Sequence, residues 1–238
     1  MIEFAIIAAG EGSRLKEDGF SLPKPLLPLA GTPMIERLIN IFANQGAQRV
    51  HVLVNSQSPQ LLEFLEGNVW PVPVVCHVKD TDSSLHSLYT LAALNPDWEA
   101  CCVTTTDTVF SEPDFARYIK GFEANKEADA YMGLTAFIDD ESPLYADVDA
   151  TQRVIAYADH FEPHFKYVSA GIYGLRRQAL DRIKKCVDQG YSRMRNYQRY
   201  LLEENLWVQG HLLGKVVDVD HLKDREAAEV FLSEITIS

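Results

Sequence analysis

An apolar run from Ile2 to Ala8, broken only by Glu3, ends in the turn Gly10-Glu11-Gly12. A strand that is apolar on both faces belongs in a parallel sheet covered by helices, because a sheet with one wet face would alternate apolar and polar residues. The run is therefore read as the first, central strand of an α/β chain. Thr32-Pro33 then predicts a helix start, with Thr32 as the cap and Pro33 at the first helical position. Met34, Ile35, Leu38, Ile39 and Phe42 mark the apolar face of that helix, and Gly46 its end. Alternation continues through a strand at Val50 to Val54, a helix from about Pro59 to Glu66, a strand at Val72 to Val78, a helix from Ser84 to Leu94 and a strand at Cys101 to Thr106. Such spacing implies right-handed crossovers, and in sheets of this type ligands bind at the carboxyl ends of the strands.

From about Ala128 the pattern changes. Tyr131 to Phe137, Leu144 to Val148, Val154 to Tyr157 and Val168 to Leu175 read as strands with little helix between them, an antiparallel insert or lid. Helices follow at about Gln178 to Val187 and Asn196 to Glu204, then short strands near Trp207 to His211 and Lys215 to Val219, and a closing helix from Leu222 to Leu232. The expected fold is a Rossmann-like three-layer α/β/α arrangement with a mostly parallel mixed sheet and a small antiparallel insert.

Composition excludes several classes. A net charge of −12 argues against a protein that coats nucleic acid or an anionic membrane, since both need a clustered basic footprint. An anionic small molecule stays admissible, because a phosphate site needs only a few local donors and cations. No basic leader precedes the first strand, and no stretch reaches the roughly 18 apolar residues of a membrane span. Cys76, Cys101, Cys102 and Cys186 show no C-x-x-C pair, so they read as buried free thiols of a cytoplasmic protein.

The strongest signal is the loop Ala8-Ala9-Gly10-Glu11-Gly12-Ser13-Arg14, followed by Lys24 within Leu22-Pro23-Lys24-Pro25-Leu26-Leu27. Glycines after a buried strand let backbone N–H groups approach phosphate oxygens. Arg14 adds a forked grip and Lys24 a movable point charge. Two rival phosphate motifs fail: Leu15 stands where a dinucleotide fingerprint needs its third glycine, and the Gly-Lys-Ser/Thr of a P-loop is absent.

From Ala8 to Ile35 the chain resembles the nucleotidyltransferases typified by sugar-1-phosphate nucleotidylyltransferases, whose signature runs A-A-G-x-G-[ST]-R and then P-K-P-L-[LV]-P-[LVI]-x-[GN]-x-P-[MIL]-[IL]. The resemblance implies a GT-A-like fold in one domain, 1–238. Residues 1–127 would bind nucleotide, 128–175 the acceptor, and 176–238 would supply closing helices and a second carboxylate. It implies nucleotide binding by Ala8, Ala9, Gly10, Gly12, Ser13, Arg14 and Lys24, with Arg14 on the β and γ phosphates and Lys24 on the reacting one. Arg14, Lys24 and Asp107 form the expected catalytic set.

Mg²⁺ is the expected cofactor. Asp107 ends the strand Cys101 to Thr106, and a hard Mg²⁺ among phosphates takes one or two protein carboxylates. The resemblance implies a second carboxylate in Val217-Asp218-Val219-Asp220, where Asp218 is the preferred ligand and Asp220 the competitor. Asp220 could instead cap the last helix, with Asp224 in its solvated first turn. The expected partners are a nucleoside triphosphate and a small phosphorylated acceptor, with no nucleic acid, no membrane and a homo-oligomer left open.

Lys79 and Ser84, in the turn after the third strand, are candidate nucleotide contacts, and His86 stands evenly between nucleotide contact and helix-start packing. Glu162, Gly171 and Tyr173 are candidate acceptor contacts, by resemblance to the family's small-Gly-Ile-Tyr strand. His160 and His164 have a metal-like spacing, but Pro163 argues against a helix holding it. Arg193, Arg195 and Arg199 could reach an acceptor phosphate or form a solvated basic face. The leading expectation is NMP transfer to a sugar 1-phosphate. Ser87-Leu88-Tyr89 resembles the corresponding element of phosphocholine cytidylyltransferases, which makes a phospho-amine acceptor the second reading; a silent nucleotide-binding regulator is the third.

Overall fold

The computed structural model describes residues 1–10, 12–138 and 142–237. In chain order its elements are β1 (Glu3–Ala8), α1 (Ser13–Glu17), the short strands β2 (Pro28–Leu29) and β3 (Thr32–Pro33), α2 (Met34–Asn44), β4 (Val50–Val54), α3 (Pro59–Gly67), β5 (Val74–Val78) and α4 (Ser84–Leu94). Then come β6 (Ala100–Thr105), β7 (Thr108–Val109), α5 (Glu112–Ala124), β8 (Ala130–Thr135), β9 (Tyr145–Val148), β10 (Val154–Ala158) and β11 (Tyr167–Arg176). The chain closes with α6 (Arg177–Asp188), α7 (Met194–Glu203), β12 (Val208–Leu213), β13 (Val217–Asp218) and α8 (Leu222–Ile237).

Strand β1 is central, paired in parallel with β4 on one side and β6 on the other, while β5 extends the sheet beyond β4. Its alternate residues feed two separate cores. Ala5 and Ile7 pack with residues of α4, α6 and α7, whereas Phe4, Ile6 and Ala8 pack with α2, α3 and α5. Period-2 alternation of a strand apolar throughout thus serves helices on both faces. Each fully buried leucine or phenylalanine in these layers stabilises by about 2 kcal/mol.

On the other side of β6, β11 runs antiparallel, β8 is antiparallel to β11, and β12 is parallel to β8. The strands expected to form an antiparallel insert are therefore joined to the main sheet: β8 and β11 lie within it, and the β9–β10 hairpin attaches at the amino-terminal end of β11. A single reversed strand between two parallel ones satisfies all their hydrogen bonds without a second sheet.

Three local expectations are corrected. Thr32 does not cap α2: Thr32–Pro33 pairs with Pro28–Leu29, and α2 begins at Met34 with no side-chain cap. The sequence reading has no helix between Asp107 and Ala128, yet α5 spans Glu112–Ala124 there. Its signal is legible in hindsight: the Ser111 hydroxyl accepts from Asp114 N–H, Pro113 sits in the first turn, and Phe115, Tyr118, Ile119 and Phe122 bury one face. The short α1 is likewise absent from the sequence reading.

A third core fixes the site. Leu15, Leu27, Leu29 and Met34 from the amino-terminal segment pack against Val109, Val217, Val219 and Phe231. This clamps the Gly-rich loop onto β7, β13 and α8. All four cysteines are free, three buried and Cys76 half-buried. Among the described residues, no helix is long and apolar enough to cross a membrane.

Candidate active site

Strand β1 delivers Ala8 and Ala9, both buried, to the loop, and Gly12 turns the chain into α1 at φ 61°. A Cβ on Gly12 would stand 3.0 Å from the Lys24 Cβ, so this glycine meets both a left-handed turn and a close approach. Ser13 and Arg14 open α1 on its exposed side; Glu11 lies outside the described residues. Lys24 leads a 3₁₀ turn entered from Pro23 and anchored by buried Pro25.

The Lys24 ammonium donates to Asp107 Oδ2 at 2.8 Å and to Asp220 Oδ1 at 2.7 Å, and Arg14 Nη1 donates to Asp220 Oδ2 at 2.6 Å. Two expected cations and the expected strand-end carboxylate thus form one network. Burial works against the Lys24 charge, but the carboxylates of Asp107 and Asp220 outweigh it and hold the ammonium above the ordinary lysine range. Burial also opposes the Asp107 charge, while Lys24 and the Thr105 hydroxyl bring its carboxyl below the ordinary range.

Asp220 is free for this network because other residues cap α8. Asp224 accepts from the N–H groups of Asp220 and His221 at 3.0 and 2.7 Å. Asp18 accepts from Leu222 N–H at 3.0 Å and contacts the His221 ring. The two roles weighed in the sequence are reversed: Asp224 caps, and Asp220 does not. Asp218 lies on β13, directly opposite Thr108 of β7, and Val219 N–H donates to the Asp107 carbonyl at 3.0 Å. This short ladder brings the late carboxylate beside the loop that carries Asp107.

Two adjoining cavities meet at Asp107. The smaller, about 280 Å³, is lined by Ala9, Gly10, Thr81, Ser84 and Ser87, among others. The larger, about 490 Å³, is lined by Thr108, Ser169, Gly171, Tyr173, Arg193 and Asp218, among others. Asp82, Ser83, Ser84, Thr105 and Asp107 border both. Gly171 has φ 68°, and a Cβ there would fall 2.4 Å from Thr108 Oγ1. Burial, then the charges of Asp218 and Asp107, push the Tyr173 phenol well up, so it stays protonated.

Gly10, Ser84, Asp107, Gly171, Tyr173 and Asp218 therefore meet at the cavities, as the sequence suggests. Lys79 and Glu162 line neither cavity: Lys79 is exposed after β5, and Glu162 sits on an exposed turn 3.7 Å from His164. Ser83 caps α4 and contacts the His86 ring at 2.8 Å, which gives His86 the packing role. Ser84 Oγ accepts from Met194 N–H. Arg193 and Arg195 line the larger cavity, and Arg195 and Arg199 both pair with Asp159. Asp82, Thr105, Thr108, Ser169 and Gln198 were missed. Gln198 gives no sequence signal because its helical neighbours Met194, Tyr197 and Leu201 are core residues.

The oxygen donors suit a small hard cation: the carboxylates of Asp107 and Asp218 line one cavity with the hydroxyls of Thr105 and Thr108. Among the described residues no three His, Cys, Asp or Glu side chains form a ready cage. That leaves waters and phosphate oxygens to complete a Mg²⁺ shell.

A central parallel sheet, a glycine loop at the carboxyl end of β1, and cations and carboxylates converging there define a phosphate-handling α/β protein of the nucleotidyltransferase type. The chain belongs to the MobA-like NTP transferase family, whose domain it matches over residues 4–199. It is 26% identical over 185 residues to a mannose-1-phosphate guanylyltransferase of Mycobacterium tuberculosis, covering 76% of this chain and 51% of that protein. It is 35% identical over 88 residues to a 2-aminoethylphosphonate cytidylyltransferase of Lancefieldella rimae, covering 35% of this chain and 34% of that protein. The chain thus spans about half the length of the first relative and a third of the second. The structure of the inositol-1-phosphate CTP transferase from T. maritima shares the fold, with a TM-score of 0.80 at 15% identity, covering 98% of this chain and 95% of that one.

Proposed function

We propose that this chain is a Mg²⁺-dependent nucleotidyltransferase that moves an NMP group from an NTP to a sugar 1-phosphate, giving an NDP-sugar and pyrophosphate. The observation that carries this reading is Lys24, ion-paired to Asp107 and Asp220 where the two cavities meet. Backbone N–H groups of the Gly10 to Ser13 loop and the Arg14 guanidinium would bind the triphosphate. Lys24 would leave its carboxylate partners to meet the reacting phosphate. Asp107 and Asp218 would hold Mg²⁺, which when bound supplies charge neutralisation between nucleotide and acceptor phosphates. An acceptor phosphate oxygen attacks the α-phosphorus in line, and the bond to pyrophosphate breaks. No general base is needed, because the attacking phosphate is already an anion; the protein's work is positioning and electrostatics.

A second reading, cytidylyl transfer to phosphocholine or a related phospho-amine, draws on Ser87-Leu88-Tyr89 and on the similarity to the 2-aminoethylphosphonate cytidylyltransferase. A silent nucleotide-binding regulator is disfavoured by the intact network of Arg14, Lys24, Asp107 and Asp220. The reading places the protein in the cytoplasm, where NTPs are supplied. Pyrophosphate release with Mg²⁺ tests it, crossing five NTPs with hexose 1-phosphates and phosphocholine. Release dependent on one hexose 1-phosphate supports the first reading; release with CTP and phosphocholine alone installs the second, and nucleotide binding without any release supports the third.

A further inference from the structure

The larger cavity also carries a polar pair, Ser169 and Gln198. Gln198 is only 2% exposed, and its Oε1 accepts from the Ser169 hydroxyl at 2.9 Å. Its amide nitrogen has no protein partner among the described residues, although Gln198 lines the cavity. An amide whose oxygen is satisfied by the protein and whose N–H groups open onto a cavity is free to donate to an occupant of that cavity.

Its orientation is fixed from behind. The Tyr173 phenol, kept protonated by burial, lines the same cavity. Because the Ser169 hydroxyl donates to the Gln198 oxygen, the amide nitrogen is the group left to face the cavity. Gly171 abuts Thr108, next to Asp107. Ser169 lies two residues back along β11, within the irregularity in its pairing with β8. Gln198, on α7, therefore enters the cavity from a different element than Asp107 and Asp218, which would hold the reacting phosphate. Leu144, whose carbonyl accepts from Ser169 N–H at 2.9 Å, adds an apolar surface beside it.

We propose that Gln198, oriented by Ser169, donates to a hydroxyl oxygen on the acceptor, which fits a polyhydroxylated ring phosphate, a sugar or cyclitol phosphate; this rests on the nucleotidyl-transfer reading above. Amide N–H groups recognise a ring hydroxyl and have nothing to offer a quaternary ammonium. Among the described residues lining this cavity Tyr173 is the one aromatic side chain, so no aromatic cage faces such a cation. Gln198 would contact substrate directly, while Ser169 is a positioning residue.

The test is calorimetric titration of glucose 1-phosphate, mannose 1-phosphate, inositol 1-phosphate and phosphocholine into the protein with Mg²⁺ and non-hydrolysable analogues of each NTP. One ring phosphate is expected to bind at least about tenfold tighter than phosphocholine. Gln198→Leu should weaken it about tenfold while leaving the nucleotide analogue's Kd unchanged. A deoxy analogue lacking the contacted hydroxyl should bind wild type and variant equally. Gln198→Met, checked for an unchanged melting temperature, guards against misfolding, and Ser169→Ala should weaken only the acceptor, about threefold. Unchanged acceptor affinity in both Gln198 variants, or tightest binding of phosphocholine, overturns the assignment. Gln198-dependent acceptor binding without pyrophosphate release would sink the transfer reading instead and leave this one standing.

Discussion

Ala8 to Leu29 brings the Gly-rich turn, Arg14 and Lys24 to the edge of the cleft from a single contiguous segment, whereas the wall of the larger cavity is assembled from β11, α7 and β13, elements far apart in the chain. The first side works through backbone geometry and two cations: a left-handed glycine, a Pro-flanked turn, Arg14 and Lys24. The second works through side chains that tertiary packing brings together, such as Ser169, Gln198, Arg193 and Asp218. Phosphate is common to every nucleotide, so a short fixed loop can serve it. An acceptor body has its own shape, and a wall of separately placed side chains can change one residue at a time.

The seam between the sides should show the largest effect. Asp107→Ala is expected to lower kcat about 10³-fold in pyrophosphate release while the melting temperature moves by only a few degrees. Retained full activity would mean that the two sides do not meet at Asp107.

The scaffold beneath the loop should respond to pH. His51 on β4 is buried against Trp98 and stacked on His77, with ring nitrogens 3.0 Å apart. Burial first, then His77 and Arg49, pull its pKa from 6.5 to about 4. Its folded pKa is depressed, so between pH 6.5 and 4 the unfolded chain takes up a proton that the folded chain refuses. Stability is thus full above pH 6.5 and falls by at most about 3 kcal/mol as pH drops to 4. Denaturant titrations across that window should show the loss, and His51→Leu should flatten it; an equal slope in the variant would place the pH dependence elsewhere.

On the opposite wall, Gly171→Ala forces a side chain into a left-handed backbone and onto the Thr108 hydroxyl. It should destabilise by about 2 kcal/mol in urea unfolding. A neutral result would mean that β11 can shift away from β7. Smallest is Arg193→Ala, expected to raise the acceptor KM about tenfold with the NTP KM unchanged. Equal changes in both constants would blur the division between the two sides.

Legibility followed the same division. The loop, Lys24 and Asp107 could be found because each sits at a fixed offset from a strand end or a proline turn, so local chain geometry determines where it goes. Lys79, a candidate for its place after a strand, and Glu162, a candidate by resemblance, line neither cavity. The unexpected α5 carries its own local signals, a serine cap, a first-turn proline and an apolar stripe.

The sequence by itself determined the parallel core, because strands apolar on both faces have no other stable environment, and it determined the Gly-rich turn and the Pro-flanked Lys24, because glycine and proline act through their own backbone limits. Tertiary structure alone decided that Asp224 and Asp18 cap α8 while Asp220 turns to Lys24 and Arg14. It alone decided that Asp218 faces Thr108 and that Gln198 turns its amide to the cavity. These outcomes depend on which donors and charges arrive from distant elements, and a polar side chain takes its partner only after the cores have packed.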